Sequence, residues 1–113
     1  MKSSKELKDK LITFFENSEQ FIGFIIKIHS ALSVNFDNFN RHFTSYSNQE
    51  FVLKYVGVRF SGARAMFDGE KDTYEISVGD VISFEEKTKN HYVFIEKLSE
   101  EVYKLTELKF ERK

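Results

Sequence analysis

Leu7, Leu11, Phe14 and Phe15 fall on one side of a helical repeat, which predicts an amphipathic helix at the start of the chain. Ser3-Ser4-Lys5-Glu6 has the spacing of a capping box, with a hydroxyl and a carboxylate placed to answer each other's orphan amides. Glu6 and Lys10 add a favourably oriented pair one turn apart, and Asn17-Ser18 ends the segment. Phe21 to Ile28 is apolar on both parities, so periodicity leaves it open as a buried strand or a buried helical turn. Leu32, Phe36, Phe39 and Phe43 then recur at spacings of four, three and four, a helical stripe interrupted by the weak helix formers Asn35, Asn38 and Asn40. Thr44 to Gln49 reads as a polar connector.

From Glu50 onward the period changes to two. Phe60-Ser61-Gly62-Ala63 suggests a tight hairpin turn. Tyr74, Ile76 and Val78 alternate with polar residues and point inward, and Gly79-Asp80 punctuates before Val81 to Phe84 resumes. Lys87-Thr88-Lys89-Asn90 forms a hairpin tip leading into His91 to Leu98. Residues 99–110 fit either a helix capped by Ser99 or a last strand from Val102 to Phe110; a strand would complete an antiparallel sheet and is preferred.

The pattern predicts an α+β fold: N-terminal helices packed on a C-terminal antiparallel sheet of about five strands, closed as a small barrel or strongly curved. Residues 1–49 form the helical part, with a possible buried strand at 21–28, and 50–113 form the β part of a single domain. The Ile76-to-Ile82 stretch has the strand–Gly-Asp–strand corner common in small barrels.

A length of 113 residues suits one domain, and 41% hydrophobic with 31% charged residues is ordinary globular usage. Thirteen Phe promise a core with much buried area per residue. There is no Cys, which excludes disulfides, thiolate zinc sites and thiol catalysis, and fits a reducing compartment. The first residues show no signal-peptide pattern, and the apolar run Phe21–Ile26 is far short of the roughly 20 residues that a membrane helix needs. A cytoplasmic protein with no membrane attachment is expected. Absence of Trp and Pro alongside abundant Phe, Lys, Asn and Ile is compatible with an AT-rich genome or a mobile element. A net charge of −1 lacks the positive surplus of a duplex-DNA binder.

The clearest local signal for chemistry lies in the hairpin around Ser61-Gly62. A two-residue loop there pairs Arg59 with Arg64, Val58 with Ala65, Gly57 with Met66 and Val56 with Phe67. One face is then uniformly apolar, and the other carries Tyr55, Gly57, Arg59, Arg64 and Met66; a slip of one residue would mix the two. Directly opposed arginines destabilise a sheet unless something compensates. An anion, held by two guanidinium forks with Gly57 leaving room and Tyr55 offering a ring, is one solution. The other is that the arginines splay to solvent or pair with nearby glutamates from other strands.

Asp68-Gly69-Glu70-Lys71-Asp72 imitates the start of a calcium loop, but Thr73 stands where the sharp turn needs Gly and Gly79 where a bidentate Glu is required. His29, His42 and His91 are scattered, no nucleophile motif or phosphate-cradling glycine loop occurs, and no catalytic residue, metal site or cofactor is predicted. Tyr55, Tyr92 and Tyr103, with Lys54, Lys87 and Lys89 nearby in sequence, have the aromatic-and-basic character of a single-strand nucleic-acid binder, or of a protein contact surface.

Three functions follow in order of expectation. The first is a non-catalytic regulatory protein, inhibitor- or adaptor-like, acting on a protein partner, with homo-oligomers possible. The second is a binder of a nucleotide or other anionic small molecule at Arg59 and Arg64. The third is a single-stranded nucleic-acid-binding barrel using Lys54, Lys87, Lys89 and Tyr92.

Overall fold

The structure, a computed structural model, describes residues 4–34, 43–59 and 64–113. Within them the chain forms helix α1 (Ser4–Asn17), then strands β1 (Ile25–Val34), β2 (Phe43–Val52), β3 (Tyr55–Arg59), β4 (Arg64–Asp68), β5 (Thr73–Ser77), β6 (Val81–Thr88), β7 (His91–Lys97) and β8 (Val102–Glu111). Short 3₁₀ turns at Ser18–Phe21 and Val78–Asp80 follow α1 and β5. All strand pairings are antiparallel, in a five-stranded sheet of order β2-β1-β8-β7-β6 and a three-stranded sheet of order β3-β4-β5.

The α+β class therefore holds, with three corrections. One α-helix is present among the described residues, not several. Among the described residues the strands make two sheets that share no hydrogen-bonded ladder, so the fold is not a closed barrel. The N-terminal part is not mainly helical, because β1 and β2 occupy most of the span between Ile25 and Val52. Leu32 lies in β1, Phe43 opens β2, and Thr44 to Gln49 is strand rather than connector. Phe36 and Phe39 fall outside the described residues, as do Ser3 and the Ser61-Gly62 turn. Two-sided pairing of β1, with β2 on one flank and β8 on the other, overrides the helical spacing of the aromatics. The C-terminal segment is the strand β8.

α1 forms as expected: Leu11, Phe14 and Phe15 are buried on one face, and the Ser18 hydroxyl closes the end by donating to the Phe14 carbonyl at 2.7 Å. The two sheets turn their apolar faces to each other. Ile26, Ile28, Phe94, Leu108 and Phe110 from the larger meet Val56, Ala65, Phe67, Tyr74 and Ile76 from the smaller in one core cluster. Phe15 stands between them, with ring centroids 6.0 Å from Phe67 and 6.1 Å from Phe94. Phe21 stacks on Phe110 at 4.0 Å.

The chain crosses between sheets at two corners. At Leu53-Lys54, β2 runs into β3, and the buried Leu53 exchanges two backbone bonds with the segment ahead of β1: its N–H donates to the Phe24 carbonyl (2.9 Å) and its carbonyl accepts from Gly23 (2.8 Å). At Val78–Asp80 the expected Gly-Asp punctuation carries β5 into β6, with the Ser77 hydroxyl donating to Asp80 at 2.9 Å. Gly69, in the β4–β5 turn, sits so close to β2 that an added Cβ would lie 2.7 Å from the Phe51 ring. The β6–β7 turn uses Asn90 at φ 66°, a left-handed conformation that Asn tolerates better than most residues.

Across the interior, the Tyr74 and Thr106 hydroxyls share a hydrogen bond of 2.6 Å that joins β5 to β8. Both residues are buried, so Tyr74→Phe leaves the Thr106 hydroxyl without that partner and is expected to cost about 1–3 kcal/mol. Adding Thr106→Val removes the orphaned group, and the double variant should recover much of the loss in urea unfolding. Additive losses would show that the bond is not what links the sheets there.

Candidate functional site

Each residue of the sequence-predicted anion site lies on the smaller sheet. The register pairs Arg59 with Arg64, Val58 with Ala65, Gly57 with Met66, Val56 with Phe67 and Tyr55 with Asp68. The apolar face of that hairpin is core: Val56, Ala65 and Phe67 are buried. On the outer face, Tyr55 is 57% exposed and folds its ring over Gly57, where an added Cβ would meet the ring at 2.9 Å. The space that glycine leaves is thus filled by its neighbour. Met66, half-buried, pairs with Glu75 on the third strand. The Arg64 guanidinium donates to Glu75 at 2.6 Å, and both groups are largely exposed. The backbone opposition of two arginines is compensated on the Arg64 side by a carboxylate of β5.

The acidic turn after β4 spends its groups locally. Asp68 accepts from the Thr73 hydroxyl, and the Gly69 N–H donates to the Asp72 carbonyl. Among the described residues no three His, Asp or Glu side chains converge as metal ligands, and no helix is long and apolar enough to cross a membrane.

The aromatic-and-basic set is not brought together. Tyr92 points into the core side of β7, with its ring 4.6 Å from Phe14. Lys87 pairs with Glu85 at 3.2 Å, and Lys89 lies in the β6–β7 turn. Lys54 sits at the corner after β2, on the opposite edge of the five-stranded sheet. Four strand spacings, roughly 19 Å, separate those edges. Tyr103 projects from β8 on the parity opposite to the buried Thr106 and Leu108.

Among the described residues, two concavities bear on the site. One, of about 440 Å³, is a shallow depression on the outside of the larger sheet, floored by Lys27, His29, Asn48, Glu50, Glu107 and Lys109. Lys27 bridges Glu111 at 3.1 Å and Glu50 at 3.9 Å, and His91 approaches Glu107 at 3.4 Å. The Glu111 carboxylate is the main cause that raises the Lys27 pKa above its ordinary value. The other concavity, of about 400 Å³, runs between α1 and the β6–β7 hairpin. Its floor is Phe14, Phe21, Phe84 and Tyr92, and its rim includes Asp9 and Glu86. Arg64 lines neither of them.

Sequence inspection missed Glu96. It is 2% exposed on the inward parity of β7, two residues beyond Phe94; one carboxylate oxygen accepts the Ser77 N–H at 3.1 Å, and the other has no partner among the described residues. Burial raises its pKa; the Ser77 N–H and Lys104 oppose that rise, and Asp80 and Glu75 reinforce it. The alternation of β7 itself carried the signal, since the inward set Tyr92, Phe94, Glu96 ends on a carboxylate.

No protein-family model matches this chain, and comparison with characterised proteins and with solved structures gives no significant match.

Two outcomes are expected. Arg64→Ala should lower stability by less than about 1 kcal/mol, because an exposed pair contributes little, and a double-mutant cycle with Glu75→Gln should return a coupling of the same size. A much larger value would give the pair a structural role. For Glu96, a carboxyl whose native pKa is raised binds its proton more tightly folded than unfolded, so its contribution to stability falls as pH rises from the ordinary carboxylate range towards the raised value. Glu96→Gln keeps an acceptor for Ser77 and removes the charge. Its stability relative to wild type should therefore grow between about pH 4 and pH 7. A difference that does not change with pH would contradict the raised pKa.

Proposed function

We propose that this chain is a non-catalytic binding protein that acts by contact with another protein, and that the free edge of β2 receives an extended segment of the partner. The contrast between the two edges of the five-stranded sheet carries this reading. β2 is ten residues long and, among the described residues, pairs only with β1. Its sequence, Phe43-Thr-Ser-Tyr-Ser-Asn-Gln-Glu-Phe-Val52, holds one charge, Glu50, and neither Lys nor Pro. The opposite edge, β6, carries Glu85, Glu86 and Lys87 and breaks register twice along its pairing with β7. Charges and bulges are the devices that keep an edge strand from pairing with another chain, and a long edge with few of them is a template for strand addition. In that mode the main chain supplies affinity and alternate side chains supply choice of partner. The single irregularity of β2 lies at its far end, between Leu32 and Ser33 of the partner strand.

The test uses Ser47→Lys, alone and with Asn48→Lys, both at exposed positions of β2. Affinity capture with the wild-type chain should retain a partner that the Lys variants lose at unchanged thermal stability. Hydrogen exchange on the recovered complex should show the β2 amides slowed. A partner retained equally by the variants, or protection confined to other strands, would reject the β2 contact. Sedimentation at rising concentration identifies the case in which the partner is a second copy.

A further inference from the structure

We propose that the groove between α1 and the β6–β7 hairpin binds a small organic cation, an alkylated ammonium with apolar substituents. The inference is independent of β2, which lies on the far edge of the same sheet.

The groove arises from two periodicities meeting. On β6, Phe84 and Glu86 share one parity, and Glu86 pairs directly with Tyr92 of β7, so a ring, a carboxylate and a phenol are set side by side. On α1, Asp9, Thr13, Phe14 and Asn17 line the facing wall. Its volume of about 400 Å³ is of the size that takes a small molecule. Phe84 and Tyr92 lie nearly parallel (10°) with centroids 6.1 Å apart, and both pack against Phe14, at 5.2 and 4.6 Å. Phe21, almost fully buried, completes the floor.

Charge decides what such a floor prefers. The face of an aromatic ring carries negative potential and attracts a weakly hydrated cation. Asp9 and Glu86 stand at the rim, and neither forms an ion pair with another described residue. Lys10, which also lines the groove, has an interaction of its own. The Tyr92 pKa is raised, first by burial and then by the Glu86 charge, so the phenol stays protonated beside the carboxylate. Its hydroxyl has no hydrogen bond to a described residue and adds a polar point of attachment. Rings below and two rim carboxylates against the single ammonium of Lys10 leave a negative surplus that fits a cation wrapped in methyl or aryl groups; an anion would meet Asp9 and Glu86, and a neutral apolar molecule would leave that surplus unused.

The experiment is an amide-resolved NMR titration of the full chain with choline, its uncharged carbon isostere and benzyltrimethylammonium. Both cations should give saturable shifts at Thr13, Asn17, Glu86 and Tyr92, and the isostere should bind at least about tenfold more weakly than choline. Asp9→Asn and Glu86→Gln, both at exposed side chains, should each weaken the cations about threefold or more while leaving the remaining spectrum in place. Groove amides that do not move, an isostere that binds as well as choline, or affinity indifferent to both carboxylates would each overturn the proposal.

Discussion

The fold depends on Phe15 and the rings around it, because nothing in the hydrogen-bonded ladders joins the two sheets. Among the described residues the larger ladder ends at β2 and β6 and the smaller at β3 and β5, so there the sheets are tied by two corners and by what lies between them. α1 supplies the filling. Phe14 reaches towards Phe84, Tyr92 and Phe94 of the larger sheet, and Phe15 touches Phe94 on one side and Phe67 on the other. A Phe-rich sequence is suited to this task, since each ring buries roughly 150–250 Å² and spans a gap that aliphatic side chains leave open.

The polar groups of the interior follow from the same arrangement. Two sheets packed face to face bring β5 against β7 and β8, and the alternation of these strands leaves Tyr74, Glu96 and Thr106 inside. Tyr74 and Thr106 satisfy each other. Glu96 holds the Ser77 N–H at the point where β5 leaves the smaller sheet for the corner, so a buried carboxylate steadies the second crossing much as the Leu53 backbone bonds steady the first. The cost is a charge in a region that raises its pKa. The Lys104 ammonium, 4.6 Å from the Tyr74 ring, lies close enough to offset part of it.

Much of this was legible in the sequence, and the remainder was hidden for identifiable reasons. The register of the β3–β4 hairpin followed from one apolar parity, because Val56, Val58, Ala65 and Phe67 allow only one alignment that keeps them together. The stripe of α1, the Gly79-Asp80 corner, the turn before His91 and the strand at the C-terminus were equally local. β1 and β2 were not. Leu32 and Phe43 fit a helical spacing, and the outward positions Lys27 and His29 that mark a strand become visible only once β8 is known to lie alongside. The arginine pair was located in register, but its compensation by Glu75 required a third strand whose alignment no local rule supplied. The groove was concealed most completely. Asp9 and Glu86 are separated by most of the chain, and only the parity of β7, set by its pairing with β6 and β8, turns Tyr92 towards Phe14.

The two proposed contact surfaces occupy opposite edges of the five-stranded sheet, and this bears on how they can act. Four strand spacings, roughly 19 Å, separate β2 from β6, so a segment added to β2 does not cover the groove. The groove, in turn, is part of the core. Phe14, Phe21, Phe84 and Tyr92 are both its floor and members of the cluster that α1 presses against the sheets. A ligand seated there would bind the folded chain and not the unfolded one, and would therefore stabilise the packing of α1 by mass action. β2 joins the same core through its inward Phe51, which also meets the β4–β5 turn at Gly69. Occupancy of the groove should thus strengthen the helix-to-sheet contact. Phe110 links the groove floor to β1, because it stacks on Phe21 and pairs with Ile26, the residue that β2 meets on its other flank through Phe51.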